Sequence, residues 1–241
     1  MPAPPRIPSS PGNKKPRLNR DLVLSTALKL VDSIGLDSLS MRRLGQELNC
    51  DPMALYRYAA NRAELLDGVT ELVLNELAID PDASDWQRQL RATAHDVRQL
   101  ALRHPNAVPL LVTRPLSTPL GLRPLGMLRP LELIVALLIR AGFAPADALH
   151  AYRTYYGFLY GHILNELQEL VVNPEEEDPV LRLGLYRLPS KDFPHLRSLA
   201  PVLAEYDGAA ELDEGLDILL TGLAQKLGGG PGPQLAGPTS R

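Results

Sequence analysis

The stretch C-D-P-M-A-L-Y-R-Y, residues 50–58, gathers two tyrosines, an arginine and a methionine into nine positions. Arginine reads guanine edges bidentately, alanine and methionine methyls suit the thymine methyl group, and tyrosine hydroxyls reach phosphates. The chemistry of such a set is recognition rather than bond making. Catalytic chemistry is poorly served elsewhere in the chain. The histidines, His95, His104, His150, His162 and His195, are scattered, and the twelve-residue gap from His150 to His162 is no metal-ligand step. Cys50 is the only cysteine, so it excludes an intrachain disulfide and fits a reducing compartment. It has no base beside it in sequence. E-E-E-D (175–178) reads as a solvated loop, and G-G-G-P-G (228–232) follows a helix instead of opening one, so it is no phosphate loop. No catalytic residue, cofactor or metal site is expected.

A recognition set needs a platform. Asp51 and Pro52 have the character of an N-cap and a first helical residue. The helix they open lasts about two turns, too short to stand alone. Upstream, a first helix from Arg20 to Ile34 places Val23, Ala27, Leu30, Val31 and Ile34 on one face, and Gly35 ends it. Ser40 caps a second helix with Leu44 and Leu48 inward. A fourth starts at Asn61 with Glu64 three residues on, close to a capping box, and carries Leu65, Leu66, Val69, Leu72, Val73 and Leu77. If Leu55 packs inward, Met53, Ala54, Tyr56, Arg57 and Tyr58 remain on or near the outside. That pattern is a helix-turn-helix, whose second helix enters a major groove. The competing reading is an ordinary three-helix subdomain whose tyrosines cover its own core.

The whole chain has 241 residues, 45% of them hydrophobic and 5% aromatic. Its net charge of −3 conceals an excess of base in residues 1–62, which hold ten lysines and arginines against five acids. A basic end on an acidic protein suits a nucleic-acid surface, although four of those cations lie in an arm that reads as disordered (1–18). Residues 228–241 read as a flexible tail. The N-terminus lacks a signal peptide's apolar core, and L-E-L-I-V-A-L-L-I (131–139) is too short to span a bilayer, so no membrane is involved and the cytoplasm is expected. Twenty arginines against five lysines fit a GC-rich bacterial genome.

Downstream, helices are expected over about 84–103, 131–141 and 145–172, with short pieces near 180–187 and 194–206. Pro105, Pro109, Pro115, Pro119, Pro124 and Pro130 break the region between the first two into short helices and bends. The loop 173–179 follows the third. A last helix carries Leu212, Leu216, Leu219, Leu220, Leu223 and Leu227 on one stripe, with Gly215 and Gly222 allowing close helix approach. No alternation long enough for a sheet is found, so the fold class is all-α.

The segment LVLSTALKLVDSIGLDSLSMRRLGQELNCDPMALYRYAANRAELLDGV (22–69) resembles the DNA-binding domain of the tetracycline-repressor family of transcriptional regulators. The likeness lies in A-L-x-L-x-x-x-x-G-L, S-x-R-x-L-G-x-x-L, A-L-Y-x-Y and N-x-x-E-L-L. V-T-R-P (112–115), A-G-F-A-P-A-D-A-L-H-A-Y (141–152), G-H-I-L-N-E (161–166) and L-D-I-L-L-T-G-L-A-Q-K-L (216–227) extend it to about residues 20–227. The resemblance implies a helix-turn-helix domain over 19–66 and an effector-binding and dimerisation domain over 67–227. It implies a homodimer built through 145–172 and 208–227, a palindromic double-stranded DNA operator and a small-molecule effector. A repressor and an activator use the same DNA-binding domain. The DNA-facing set implied is Ser40, Arg42, Pro52, Met53, Ala54, Tyr56, Arg57, Tyr58 and Arg62, with Arg42 reading a base and Tyr56 and Arg62 gripping phosphate. Lys14, Lys15 and Arg17 either add backbone contacts or belong to a disordered arm.

The same resemblance argues against magnesium–tetracycline as the ligand. Leu110 and Gly157 stand where the family's histidines would be, Asn165 where its glutamate would be, and Thr93 where its drug-binding asparagine would be. A hard cation needs oxygen or imidazole ligands. The pocket expected instead is mostly apolar: Thr93, Val97, Leu110, Arg114, Met127, Leu131, Tyr152, Tyr156, Tyr160 and Asn165. A tyrosine taken alone is more often a core or dimer contact than a ligand contact.

Overall fold

A computed structural model describes residues 18–112, 119–170 and 184–228. Among these residues the secondary structure is helical, with no strand. The first four helices are α1 (Arg20–Ile34), α2 (Met41–Glu47), α3 (Pro52–Leu55) and α4 (Arg62–Leu74). Each starts where a short polar side chain satisfies an orphan amide. Asn19 Oδ1 accepts from the Leu22 amide at 2.8 Å, Ser40 Oγ from Arg43 at 3.2 Å, Asp51 Oδ1 from Met53 at 2.8 Å, and Asn61 Oδ1 from Glu64 at 2.9 Å. Glu64 reaches back to the Ala60 amide at 2.7 Å, closing the capping box one residue before the cap. Gly35 ends α1 with φ of 79°.

The second part holds α5 (Trp86–Arg103), α6 (Val108–Val112), α7 (Leu125–Arg140) and α8 (Pro145–Leu170). It continues with α9 (Pro194–Ser198), α10 (Ala200–Ala204) and α11 (Gly208–Gly228). The cap of α5 is Asp85, one residue past the expected start. The helix expected from 131 starts instead at Leu125 and runs through Pro130, which is buried within it. An internal proline costs about 3 kcal/mol. The apolar face of α7, with Ile134, Leu137 and Leu138 fully buried against the neighbouring helices, outweighs that cost.

Two clusters make the core. The first joins α1, α2, α3 and α4 around Val23, Val31, Leu44, Leu55, Leu65 and Val69, and it draws in Leu100, Leu110 and Leu111 from downstream. The second gathers Leu90, Val97, Ile134, Tyr155, Leu159, Leu212 and Leu216, where α5, α7, α8 and α11 pack together. Leu77, just past α4, touches both. The leucine stripe of α11 therefore faces the chain's own interior. Leu212, Leu216, Leu220 and Leu223 are buried there and Leu219 is half-buried. Leu227's side chain, the arm 1–17, Arg114, the loop 173–179 and the residues past 228 lie outside the described side chains.

Candidate functional site

The short α3 is held at both ends. Asp51 caps it, and Leu55 is fully buried in the first core cluster. The turn before it is tight. Asn49 takes a left-handed conformation with φ of 50°, one that asparagine tolerates, and the Cys50 amide donates to Gly45 O at 2.9 Å. A Cβ at Gly45 would sit 3.0 Å from Cys50 O and 3.1 Å from Pro52 Cγ, so this close approach of α2 and α3 depends on glycine. Cys50 is half-buried against the same core. An open cleft of about 640 Å³ lies between the two helices, lined by Arg42, Gly45, Gln46, Asn49, Cys50, Asp51 and Pro52.

On this platform the expected recognition residues separate into two groups. Arg42, Met53, Tyr56 and Arg57 point outward, with Met53 71% and Tyr56 44% exposed. Pro52 and Ala54 are half-buried beneath them, and Ser40 spends its hydroxyl on the α2 cap. Arg57 lies over the Tyr58 ring, 5.9 Å from its centroid.

Tyr58 and Arg62 also have bonding partners within the protein. The Tyr58 hydroxyl donates to Leu18 O at 2.8 Å and its ring packs on the first cluster, so it ties the approach to α1 onto α3. This is the competing reading of a tyrosine covering its own core, realised at one of the two positions. Arg62 donates through Nε to Leu39 O at 3.0 Å and through Nη2 to Leu36 O at 2.8 Å, closing the turn between α1 and α2. Residue type alone cannot signal either role, because the acceptors are backbone carbonyls more than twenty residues away.

The effector set also divides. Tyr152, Tyr156 and Tyr160 recur at four-residue steps on α8 and meet at a tilt in a ladder, with neighbouring centroids 4.7 Å and 5.2 Å apart. Burial pushes the Tyr152 hydroxyl up to about 12 against the opposing pull of Arg123, and pushes Tyr156 and Tyr160 higher still. Val97 is buried in the cluster that holds them, and Met127 and Leu131 are half-buried on α7. Thr93 is buried on α5, and its hydroxyl donates to Gln89 O at 2.9 Å.

Leu110 belongs instead to the first core cluster, with residues of α1, α2, α3 and α4. Asn165 is exposed. Nine residues past Tyr156, it falls half a turn round α8 on the opposite side of the helix. Two residues that the sequence did not single out complete this half. Tyr155 is fully buried and donates to Leu90 O at 2.7 Å. Glu166, also buried, receives Arg98 bidentately, Nε at 2.9 Å and Nη2 at 2.5 Å, where α11 begins at Gly208. An arginine and a glutamate 68 residues apart carry no local pairing signal.

The capped helix-turn-helix and the separately cored helical half that carries the aromatic ladder make an all-α fold in two parts. The model of the tetracyclin repressor-like C-terminal domain matches residues 80–227, and the chain belongs to the tetracycline-repressor family. An HTH-type transcriptional regulator of Saccharopolyspora erythraea is 28% identical, over 92% of this chain and 91% of its own. The class D tetracycline repressor protein of Escherichia coli is 28% identical, over 88% and 95%. Among solved structures, the Streptomyces coelicolor TetR family protein ActR in complex with actinorhodin is 30% identical. That match has a TM-score of 0.69 and covers 88% of this chain and 99% of that one. These relatives are regulators, not enzymes. Among the described residues no helix is long and apolar enough to cross a membrane.

Proposed function

We propose that the chain is a repressor that binds a palindromic operator as a homodimer and is released by a small, mostly apolar ligand. The observation that carries this reading is the outward presentation of Arg42, Met53, Tyr56 and Arg57 around a short helix anchored by Leu55. Arg42 and Arg57 would read base edges, Tyr56 would meet a phosphate, and Met53 would meet a thymine methyl. On this reading residues 19–66 would read DNA and residues 67–227 would bind the effector and form the dimer, with α4 running across the junction.

The dimer would use the outer faces of α8 and α11. Leu164 is 39% and Ile218 78% exposed there, and a side chain at Gly157, Gly161 or Gly222 would meet open space. A two-fold axis would set two copies of α3 a helical turn or more apart on DNA. Release would be a population shift, in which the ligand prefers a conformer whose reading helices no longer match that spacing. Magnesium–tetracycline is not the expected ligand, since Leu110 is committed to the first core and Gly157 faces outward. Tight, magnesium-dependent tetracycline binding would overturn that part.

The test is selection of sites from random-sequence DNA, followed by titration of the enriched site with salt varied. The expected result is a palindrome bound by two chains, with affinity falling steeply as salt rises. A pool that enriches nothing, or binding equal to random competitor at every salt, would overturn the reading.

A further inference from the structure

His104 ends α5 with its ring against α1. Its Nδ1 lies 2.9 Å from Asp32 Oδ2, and the two side chains are 17% and 28% exposed. A carboxylate only accepts, so Nδ1 carries the proton and Nε2 is the atom that titrates. The other carboxylate oxygen, Oδ1, is enclosed and has no hydrogen-bond partner among the described residues. Asn106 Nδ2 donates to Asp32 O at 2.9 Å. Asp32 is thus held, side chain and backbone, from the single turn Pro105–Ala107 and its cap. The contact of α1 with the half from α5 onward runs chiefly through this turn. From there α1 carries the tie to the reading helices. The backbone before it accepts from Tyr58 at Leu18 O, and the backbone after it accepts from Arg62 at Leu36 O and Leu39 O. A helix of 15 residues is a rod of about 22 Å, here fastened beside α3 at one end and to the end of α5 at the other. The other charged groups nearby are directed elsewhere. Arg103, beside His104, donates to Glu76 at 2.7 Å. Lys29, a turn before Asp32, lines a groove with Leu22, Glu47 and Leu48. The turn and α6 carry no titratable side chain.

From this placement, and on the reading that the chain binds an operator, we infer that His104 and Asp32 form a proton-operated latch between the two halves, closed when His104 is charged, and that the closed latch favours operator binding. Histidine is the side chain whose ordinary charge change falls between about pH 5 and pH 8. Protonation turns a neutral hydrogen bond into a charge-assisted one, and it supplies a counter-charge to an enclosed carboxylate with one idle oxygen. Loss of the proton leaves the neutral bond and loosens the end of α1. Two reading helices in a two-fold dimer must match one groove spacing. A held α1 keeps that spacing populated. A loosened α1 spreads the chain over spacings that do not fit, and the apparent affinity falls with the fraction that still does. The proton then acts as a second effector, at a site apart from the tyrosine ladder. By linkage, operator binding draws a proton onto His104.

Affinity of the full-length protein for the selected operator is measured from about pH 5.5 to about pH 8 at fixed ionic strength. Urea midpoints of the DNA-free protein are taken at the same pH values. The variants are His104→Gln, His104→Arg and Asp32→Asn, with His95→Gln as the control, since His95 pairs with Asp213 away from α1. The expected result is that the wild type binds roughly 5- to 10-fold more tightly at the acid end, the gain of a charge-assisted over a neutral hydrogen bond. His104→Gln, which keeps a donor without a charge, and Asp32→Asn bind at every pH as the wild type does at the alkaline end. His104→Arg stays charged and binds at the alkaline end as the wild type does at the acid end. His95→Gln keeps the wild-type slope. The wild-type urea midpoint exceeds that of His104→Gln by a margin that is full at the acid end and shrinks as pH rises through the histidine range. A flat wild-type profile, or a wild-type slope retained in His104→Gln, would overturn the inference. So would a midpoint margin that does not change with pH, which marks a structural contact alone. Operator binding with a flat profile removes only the latch. A pH-dependent margin in a protein that selects no operator removes the regulator reading.

Discussion

Arg42 and Tyr56 face solvent, whereas Tyr58 and Arg62 are spent on backbone carbonyls. Truncation should therefore split the four into two classes. Arg42→Ala and Tyr56→Phe are expected to weaken operator binding by about 1–3 kcal/mol each while leaving thermal stability within about 0.5 kcal/mol of wild type. Tyr58→Phe is expected to cost about 1 kcal/mol of folding stability through the lost bond to Leu18 O. Arg62→Ala should behave likewise, since it opens the turn at Leu36 and Leu39. Chemical denaturation beside operator titration checks all four. A Tyr58→Phe variant of unchanged stability and lost DNA binding would restore that residue to the recognition set. The short helix is legible in the sequence because a capped, proline-opened helix with outward aromatics is a local pattern. It cannot tell Tyr56 from Tyr58, because the partner of Tyr58 lies 40 residues away.

At the scale of the helix, the starts of α1, α2, α3 and α4 were legible because each cap is a contact over two or three residues. The path of α7 through Pro130 was not, since tertiary packing there overrides a local prohibition. The same holds for Gly208. Its position looks like any small helix-opening residue, yet a Cβ there would land on the Glu166 carboxylate. That carboxylate lies against the N-terminus of α11 and holds Arg98, with side-chain exposures of only 5% and 12%. An alanine at 208 must displace a buried charge from its partner, and breaking such a pair costs about 3–5 kcal/mol when it is complete. Gly208→Ala is therefore expected to lower stability by roughly 2 kcal/mol or more, below that bound because Glu166 can shift. Gly222→Ala, on a face with open space, should be neutral or slightly stabilising in the isolated chain. Urea midpoints at low protein concentration compare the two. Equal midpoints would mean that the Arg98–Glu166 pair contributes little to holding α8 and α11 together.

Across the whole molecule, the sequence showed an all-helical chain with a basic reading end, but not which way the leucines of α11 point. A leucine stripe serves a dimer and an interior equally well, and only the neighbouring α5 and α8 decide it. The same long-range packing encloses the tyrosines of α8, and this gives the molecule a measurable alkaline limit. An unfolded chain ionises its tyrosines near pH 10. In the folded chain Tyr152 is held up to about 12, and Tyr155, Tyr156 and Tyr160 are raised further by burial. The folded state then holds more protons than the unfolded state above pH 10. Stability is full below that value and falls as pH rises through the folded values, by up to about 1.4 kcal/mol per pH unit for each group. A titration followed at 295 nm should show some of the eight tyrosines ionising reversibly, with helicity intact. The α8 four should ionise in a later step that coincides with loss of helical circular dichroism. Ionisation of all eight in one broad transition near pH 10, with helicity retained, would mean that solvent reaches the ladder.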